Sequence, residues 1–245
     1  MGKQEDKFVN NFFKKVGKTI QTYEMICKDD KILTAISGGK DSFVMLECLE
    51  NRKRYLPFDF DVVAVHVHIN NVGYESNLNF LQEFCSKLNI DLHIIEHTLE
   101  ITQDEAKNPC FLCSWQRRKK IFDLSNKLNC NKIAFGHHLE DALETLFMNM
   151  MFHGSISSLP QKFELFDGRA ELIRPLLNTY EEDIKKFSDI RSYPEQIKSC
   201  PYEDKTKRLA IRKIIESMNE QYNKSTLNIF RSMDNIYPGY LPKKR

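Results

Sequence analysis

The apolar residues of this chain follow two alternating patterns. Short and almost continuous apolar runs occur at Ile32–Ile36, Val62–Ile69, Leu92–Glu96 and Lys132–Phe135. Runs of this length, rich in β-branched residues, are typical of buried strands. Between them, apolar residues recur every three or four positions, which predicts helices. Strand and helix thus alternate at short spacing, which predicts an α/β fold with a doubly wound parallel sheet.

The same pattern suggests how the chain is divided. A helical stripe over 7–27 precedes the first strand, and further helices are predicted over 114–128 and 140–151. Leu172–Ile173 predicts an edge strand, and the pattern is helical only from Glu181 onwards. We therefore expect an N-terminal helix, a nucleotide-binding sheet domain and a C-terminal helical appendage: residues 1–28, 29–180 and 181–245.

Composition narrows the class of protein. Of the 245 residues, 41% are hydrophobic and 29% are charged, which is typical of a soluble globular protein. Met1–Asp6 is polar and forms no secretory signal, and the longest uncharged stretch, Thr145–Gln161, is interrupted by polar residues and Pro160. We therefore expect a cytoplasmic protein with no membrane association. Because the net charge is only +2, a surface for nucleic acid must come from local clusters of basic residues.

The turn after the first predicted strand has the composition of a phosphate site. Its sequence is Ser-Gly-Gly-Lys-Asp-Ser, and apolar residues at helical spacing follow it. Glycines let the backbone approach an anion, and the N–H groups at a helix start point towards that anion. The lysine and the two serines add a charge and hydroxyl donors. The candidate nucleotide-binding residues are Ser37, Gly38, Gly39, Lys40, Asp41 and Ser42.

This turn also has a simpler explanation. It lacks the spacing of a Walker A loop. A Gly-Gly turn with a capping aspartate could equally join a strand to a helix without binding any ligand. The strand before the turn and the helix after it favour the nucleotide site over that alternative.

A second polar motif, Gly136–Asp141, follows the fourth predicted strand. Open α/β sheets bind their ligands at the carboxyl ends of such strands. Gly136 permits close approach of the backbone, and His137 and Asp141 are four residues apart, so that they can share one helix face. We expect Gly136 and His137 near the nucleotide and Asp141 at magnesium and the phosphates. The alternative is a helix start with two surface histidines.

Cys110 and Cys113 form a C-x-x-C pair at the end of a long loop. This spacing can chelate a metal centre or form a redox disulfide, and soft thiolates select zinc or an iron–sulfur cluster. A metal centre needs a third ligand, and Cys200, in a loop between helices, is able to reach across. Cys48 and Cys85 lie on apolar helix faces, which indicates core thiols. The other candidates for the third ligand are Cys27, Cys48, Cys85 and Cys130.

Four motifs, in this order, resemble the tRNA 2-thiocytidine synthetases, a family of PP-loop ATP-pyrophosphatases. They are SGGKDS, PCFLCSWQRRK around the cysteine pair, KIAFGHHLEDALETLFMNMMFHG and, after IRPL, the single late Cys200. The ending MDNIYPGYL is also similar, and the resemblance extends from Lys14 to Leu241. It implies a sheet of the adenine nucleotide alpha hydrolase-like class.

The resemblance also implies a reaction. A 4Fe-4S cluster held by Cys110, Cys113 and Cys200 would leave one iron open to carry sulfur. ATP, with Mg2+, would adenylate the C2 oxygen of an anticodon-loop cytidine in tRNA, and sulfide would then displace AMP. The implied catalytic residues are Asp41 and the three cysteines. The implied partners are tRNA and a sulfur donor, either sulfide or a persulfide from a cysteine desulfurase, and a homodimer is left open.

Several alternatives remain. His66–Val67–His68 stands where we expect asparagine or aspartate in this family, and no second cysteine closely follows Cys200. We therefore keep a different thiolated nucleotide, desulfuration, lysidine-type ligation and a non-catalytic metal-binding module as alternatives. The basic residues of 117–120 and 205–213 are candidates for RNA contact, with solvated helix faces as the alternative.

Overall fold

Helices and strands alternate along the part of the chain that the structure describes. This computed structural model covers residues 2–71, 74–99, 109–198, 207–222 and 224–241, with the backbone alone for 74–75, 109–110, 197–198 and 207. None of the described helices is both long and apolar enough to span a bilayer. The helices are α1 (Lys3–Thr22), α2 (Lys40–Arg52), α3 (Leu78–Lys87), α4 (Pro109–Lys127), α5 (Leu139–His153), α6 (Glu181–Arg191), α7 (Lys207–Gln221) and α8 (Ser225–Ser232), followed by a 3-10 turn at Pro238–Tyr240. The strands are β1 (Lys31–Ala35), β2 (Asp61–Ile69), β3 (Tyr74–Glu75), β4 (Asp91–His97), β5 (Lys132–Ala134), β6 (Lys162–Leu165), β7 (Ala170–Ile173) and β8 (Ile197–Lys198).

The main sheet confirms the predicted α/β fold. Its six strands lie in the order β4-β2-β1-β5-β7-β6. β1 pairs in parallel with both β2 and β5, and β2–β4 and β5–β7 are also parallel. β1 and β5 are therefore the central strands, with β2 and β4 on one side and β7 and β6 on the other. The crevice at the carboxyl ends of these two strands is where open sheets of this type bind ligands.

The prediction of an edge strand at Leu172–Ile173 is wrong in its position. These residues belong to β7, which lies inside the sheet between β5 and β6. The edge strand is β6, which pairs antiparallel with β7 and was not predicted. The residues of β6, Lys-Phe-Glu-Leu, are exposed or half-buried. An edge strand needs no continuous apolar run, so the sequence pattern does not mark it.

Alternate residues along the central strands contact two separate hydrophobic layers, as the period of a strand requires. Ile32 packs in the layer that contains Phe43 of α2 and Phe187 of α6. The next residue, Leu33, packs in the opposite layer with Ile121 of α4. Because both faces of β1 are covered, the loop that follows it begins from a fixed position.

The chain is grouped into two compact units. The first, Met1–His138 with Pro160–Asp204, contains the sheet with α1, α2, α3, α4 and α6. The second, Leu139–Leu159 with Lys205–Arg245, contains α5, α7 and α8, and α5 packs on both of the other helices. The three-part division expected from the sequence stays a prediction.

Candidate active site

The candidate phosphate loop lies between the carboxyl end of β1 and the start of α2. Gly38 has a φ of +88°, which side chains rarely tolerate, and a Cβ at this position would lie 2.7 Å from Ser76 Oγ. A Cβ at Gly39 would lie 3.1 Å from Gln196 Oε1. Because α2 begins at Lys40, the N–H groups and positive dipole end of this helix lie at the turn. A helix start next to two glycines suits a phosphate group, and a side chain at either glycine would collide with Ser76 or Gln196.

Hydrogen bonds to the backbone hold the loop in shape. Ser37 Oγ accepts a bond from the Gly39 N–H at 3.3 Å, and Ser42 Oγ donates to the Gly39 carbonyl at 2.7 Å. Ser76 and Gln196 donate to the Ser37 carbonyl at 3.0 and 2.7 Å. These two residues adjoin β3 and β8, which pair antiparallel in a separate small sheet. No sequence motif identified them, because their role depends on a pairing between distant segments.

Lys40 is held between two carboxylates. Its Nζ lies 2.9 Å from Glu181 Oε1, at the first residue of α6, and 3.2 Å from Asp41 Oδ1. Burial by itself lowers the pKa of Lys40. The carboxylates of Asp41 and Glu181 raise it by more than burial lowers it, so the pKa of Lys40 is above its ordinary value. The ammonium therefore stays charged at the candidate phosphate loop. Glu181 is a third residue, after Ser76 and Gln196, that sequence reasoning missed.

His66 supports the start of the loop from the neighbouring strand. It is buried in β2, and its Nδ1 lies 2.7 Å from the carbonyl oxygen of Ile36, the residue before Ser37. Nδ1 must carry the proton that this bond requires, so Nε2 is an acceptor. Burial lowers the pKa of His66, which favours this neutral form. The sequence marked His66 only as a departure from the family pattern.

Gly136 and His137 lie at the carboxyl end of β5, beside the phosphate loop. A Cβ at Gly136 would lie 3.0 Å from the Asp41 carbonyl oxygen, so the glycine lets this strand end approach the first turn of α2. His137 Nδ1 accepts a hydrogen bond from Arg174 Nε at 3.3 Å. Arg174 also donates to the Pro160 carbonyl at 2.5 Å, and burial lowers its pKa to about 10. The structure thus brings Gly136 next to the loop and gives His137 a cationic partner.

Asp141 lies on the first turn of α5, in the second unit. A carboxylate is favoured at this position because the helix dipole is positive there. Thr145 Oγ1 donates to the Asp141 carbonyl oxygen at 2.8 Å. The role of the Asp141 carboxylate at magnesium stays a prediction.

The cysteine pair lies at the start of α4, which begins earlier than predicted, at Pro109. Cys110 and Cys113 are three residues apart, and residues with this spacing lie on one face of a helix. Cysteine thiolates are the usual protein ligands of iron–sulfur clusters. This donor set fits two ligands of a cluster. The Cys110 side chain and the whole of Cys200 lie outside the described residues, and the described side chains include no group of three metal ligands.

The remaining cysteines differ from this pair in their surroundings. Cys48, Cys85 and Cys130 are buried, which confirms the prediction of core thiols for Cys48 and Cys85. Burial raises the pKa of all three thiols, and that of Cys85 reaches about 11. Cys27 is exposed just after α1. Thiols with a raised pKa are poor metal ligands, because metals bind the thiolate.

Comparison with known proteins agrees with this site. The model of a PP-loop domain matches residues 6–218. The chain is 34% identical to the tRNA-cytidine(32) 2-sulfurtransferase of Hahella chejuensis, over 93% of this chain and 81% of the relative. It is 31% identical to the enzyme of the same name from Pseudomonas syringae, over 97% of this chain and 88% of the relative.

A solved structure shows the same fold. The U34-tRNA thiolase NcsA of Methanococcus maripaludis, determined with its [4Fe-4S] cluster, has a TM-score of 0.79 to this chain at 23% identity. The match covers 94% of this chain and 79% of NcsA. The matched PP-loop domain, the curated relatives and the loop between β1 and α2 lead to one assignment: the chain belongs to the PP-loop proteins and, among them, to the tRNA-cytidine(32) 2-sulfurtransferase family.

Proposed function

We propose that this protein is an enzyme that uses ATP to replace the C2 oxygen of a cytidine in the tRNA anticodon loop with sulfur. The observation that carries this proposal is the phosphate cradle of Gly38 and Gly39, combined with the cysteine pair at the start of α4. The names of the curated relatives support cytidine 32 as the position.

The first half of the reaction uses the phosphate loop. The backbone N–H groups at the start of α2 and the Lys40 ammonium bind the phosphates of ATP, and Asp141 organises Mg2+. The cytidine O2 attacks the α-phosphorus, the bond to the β-phosphate oxygen breaks and pyrophosphate leaves. Adenylation is needed because a carbonyl-type oxygen is a poor leaving group. Lys40 stabilises the negative charge that accumulates on the phosphates.

The second half uses the cysteines. Cys110, Cys113 and Cys200 would hold a 4Fe-4S cluster through three thiolates. When bound, the cluster would supply a sulfur nucleophile at the level of sulfide. Sulfur then bonds to C2, the C2–O bond breaks, and AMP leaves with the oxygen. We further propose that the sulfur comes from sulfide, or from a persulfide that a cysteine desulfurase makes and that a thiol reductant reduces to the level of sulfide with formation of a disulfide, and that the protein acts in the cytoplasm.

The test is direct detection of the product. Anaerobically reconstituted protein is incubated with ATP, Mg2+, sulfide and an unmodified tRNA transcript that has cytidine at position 32, and the digested nucleosides are analysed by mass spectrometry. We expect 2-thiocytidine only when ATP is present. Protein with a full complement of iron that forms no 2-thiocytidine contradicts the proposal.

Lys40→Ala tests the ATP half separately. Loss of a charge-assisted hydrogen bond to phosphate is worth about 1.5–3 kcal/mol, so the affinity for ATP should fall roughly 10- to 100-fold in calorimetric titration. Lys53→Ala is the matched control, because Lys53 follows the same helix and pairs only with its neighbour Glu50 at 2.7 Å in the described structure. Equal ATP affinity in the two variants would remove Lys40 from the site.

A further inference from the structure

The second unit contains a buried carboxylate that the phosphate loop does not use. Glu144 lies on α5 with a side chain that is only 1% exposed. Arg212 Nε of α7 donates to its Oε1 at 2.8 Å, and Arg208 Nε of the same helix lies 3.2 Å from its Oε2. The two arginines are four residues apart and so lie on one face of α7. We call Arg208 and Arg212 the arginine pair, and Glu144 the anchor of this pair.

Packing alone does not explain this arrangement. Burial raises the pKa of Glu144 more than Arg212 and Arg208 lower it, so that the net pKa is above its ordinary value and the carboxylate is costly to keep ionised. Replacing buried ionic groups by apolar residues of similar volume is often neutral or stabilising. A leucine at this position would thus serve the α5–α7 contact at least as well. What only the carboxylate provides is a fixed orientation for two guanidinium groups.

Both arginines contact the buried Glu144 and are also partly exposed to solvent. The side chain of Arg208 is 50% exposed and that of Arg212 is 44% exposed. The three residues together carry one negative and two positive charges, and the Asp141 carboxylate on the same helix as Glu144 adds a second negative charge that also raises the pKa of Glu144. The guanidinium fork matches the geometry of two phosphate oxygens, which gives arginine an advantage over lysine at phosphate sites.

The surrounding charge favours a nucleic-acid backbone as the ligand. The charged residues of α7 are all basic from its start up to Glu216, and they include the exposed Lys213. Several positive charges along one helix suit a nucleic-acid backbone, which has regularly spaced phosphates, better than they suit a single anion.

We propose that Glu144 is a positioning residue that holds Arg208 and Arg212 as a clamp for the phosphate backbone of the RNA substrate. This inference rests on the proposed function, which supplies tRNA as the occupant. Glu144 itself does not contact the RNA. Its contribution is to align the two arginines before the RNA arrives, which reduces the ordering that binding requires.

The decisive variant is Glu144→Gln. It changes RNA affinity in opposite directions depending on whether the alignment of the two arginines or only the net charge of the protein determines binding. Removal of a negative charge would strengthen RNA binding if only the net charge mattered. If alignment matters, binding weakens although the protein becomes more positive. The affinity for an unmodified tRNA transcript is measured by filter binding with the full-length protein between about 50 and 200 mM salt. We expect about tenfold weaker binding and a salt dependence that is shallower by about 1 in log–log slope.

A second variant keeps the test decisive if Glu144→Gln lowers the melting temperature. The double variant Arg208→Lys/Arg212→Lys retains every charge on exposed positions but loses the planar fork. We expect it to bind the transcript several-fold more weakly than wild type. The matched control is Arg231→Gln, which removes an exposed arginine of α8 in the same unit and should leave the affinity within about twofold.

The outcomes separate the two proposals. Wild-type affinity in the double lysine variant, or tighter binding in Glu144→Gln, overturns the clamp while leaving the proposed function intact. Loss of ATP affinity in these variants with unchanged RNA affinity would assign the arginines to the nucleotide instead, and it overturns the clamp as well. Wild-type protein that binds no tRNA transcript overturns the RNA substrate itself, and this result would appear before any variant is made.

Discussion

At the scale of single residues, His66 illustrates how a buried side chain can shape a loop to which it does not belong. Its Nδ1–H satisfies the carbonyl oxygen of Ile36, where β1 ends and the phosphate loop begins. A buried carbonyl without a donor costs about 1–3 kcal/mol. The bond to His66 therefore fixes the direction in which the loop leaves the sheet.

Replacement of His66 should affect stability and nucleotide binding together. We expect His66→Phe, which fills the space but removes the donor, to lose about 1–3 kcal/mol in urea unfolding and to bind ATP several-fold more weakly. His66→Asn can still donate an N–H and should lie closer to wild type in both measurements. Unchanged stability and ATP affinity in His66→Phe would show that the bond to Ile36 has no structural role.

The same residue predicts a dependence on pH. Burial lowers the pKa of His66 in the folded protein, although its bond to Ile36 raises it. The unfolded chain therefore takes up the proton at higher pH, near about 6.5, and protonation favours unfolding. The stability of wild type should fall as the pH decreases below about 6.5, and that part of the fall should be absent in His66→Asn. Parallel stability curves for the two proteins would contradict this expectation.

Sequence reasoning could place residues in a local turn, but it could not identify residues whose contacts come from distant segments. Gly38 and Gly39 could be identified because a phosphate turn has its own short pattern, and both lie where that pattern places them. Glu181 and Glu144 could not be identified. Each is one carboxylate on an ordinary helix, and only folding shows which cation it meets.

At the scale of elements, a network of charges joins the amino ends of the central strands. Lys132 at the start of β5 has a side chain that is only 6% exposed, and it pairs with Glu171 of β7 and lies 3.8 Å from Asp30. Asn131 donates to Asp30 and accepts from the Lys31 N–H, which links β1 to the same network. The network fixes the register of three neighbouring strands at the end of the sheet opposite the ligand site.

Lys132→Met should destabilise the protein strongly. The variant keeps the length of the side chain but leaves Asp30 and Glu171 without their central cation, and breaking a buried pair in this way costs about 3–5 kcal/mol. The free energy of unfolding in urea measures this loss. Lys162→Met is the control, because Lys162 pairs with the same Glu171 at 3.0 Å but is 31% exposed, so it should cost less than about 1 kcal/mol. Equal losses in the two variants would refute the importance of burial.

Elements were predictable where the sequence carries a near-continuous apolar run. β2 has a near-continuous buried pattern and was placed within one residue of its observed bounds. β6 has no continuous apolar run, and its strand conformation depends on pairing with β7, which the local sequence does not encode.

At the scale of the whole molecule, the cysteines divide into two sets that a single experiment can separate. We expect Cys110→Ala, Cys113→Ala and Cys200→Ala to lose the iron–sulfur cluster after anaerobic reconstitution. The core variants Cys48→Ala, Cys85→Ala and Cys130→Ala should keep it, since their raised pKa values make them poor ligands. Cys27→Ala should keep it as well, so that three of the seven variants fail and four do not. Iron and sulfide content and visible absorbance report the result. A normal cluster in Cys200→Ala together with its loss in Cys130→Ala would show that the third ligand is Cys130.

The small sheet of β3 and β8 has a consequence for timing within the reaction. Gln196, which donates to the Ser37 carbonyl, is separated from Cys200 by only four peptide links. A chain of that length spans at most about 14 Å, which limits the distance between the Cys200 backbone and Gln196 at the candidate phosphate loop. If Cys200 is the cluster ligand proposed above, a shift of the loop when pyrophosphate departs would act on that ligand through this short segment. Release of pyrophosphate and delivery of sulfur would then be coupled through the segment that joins Gln196 to Cys200.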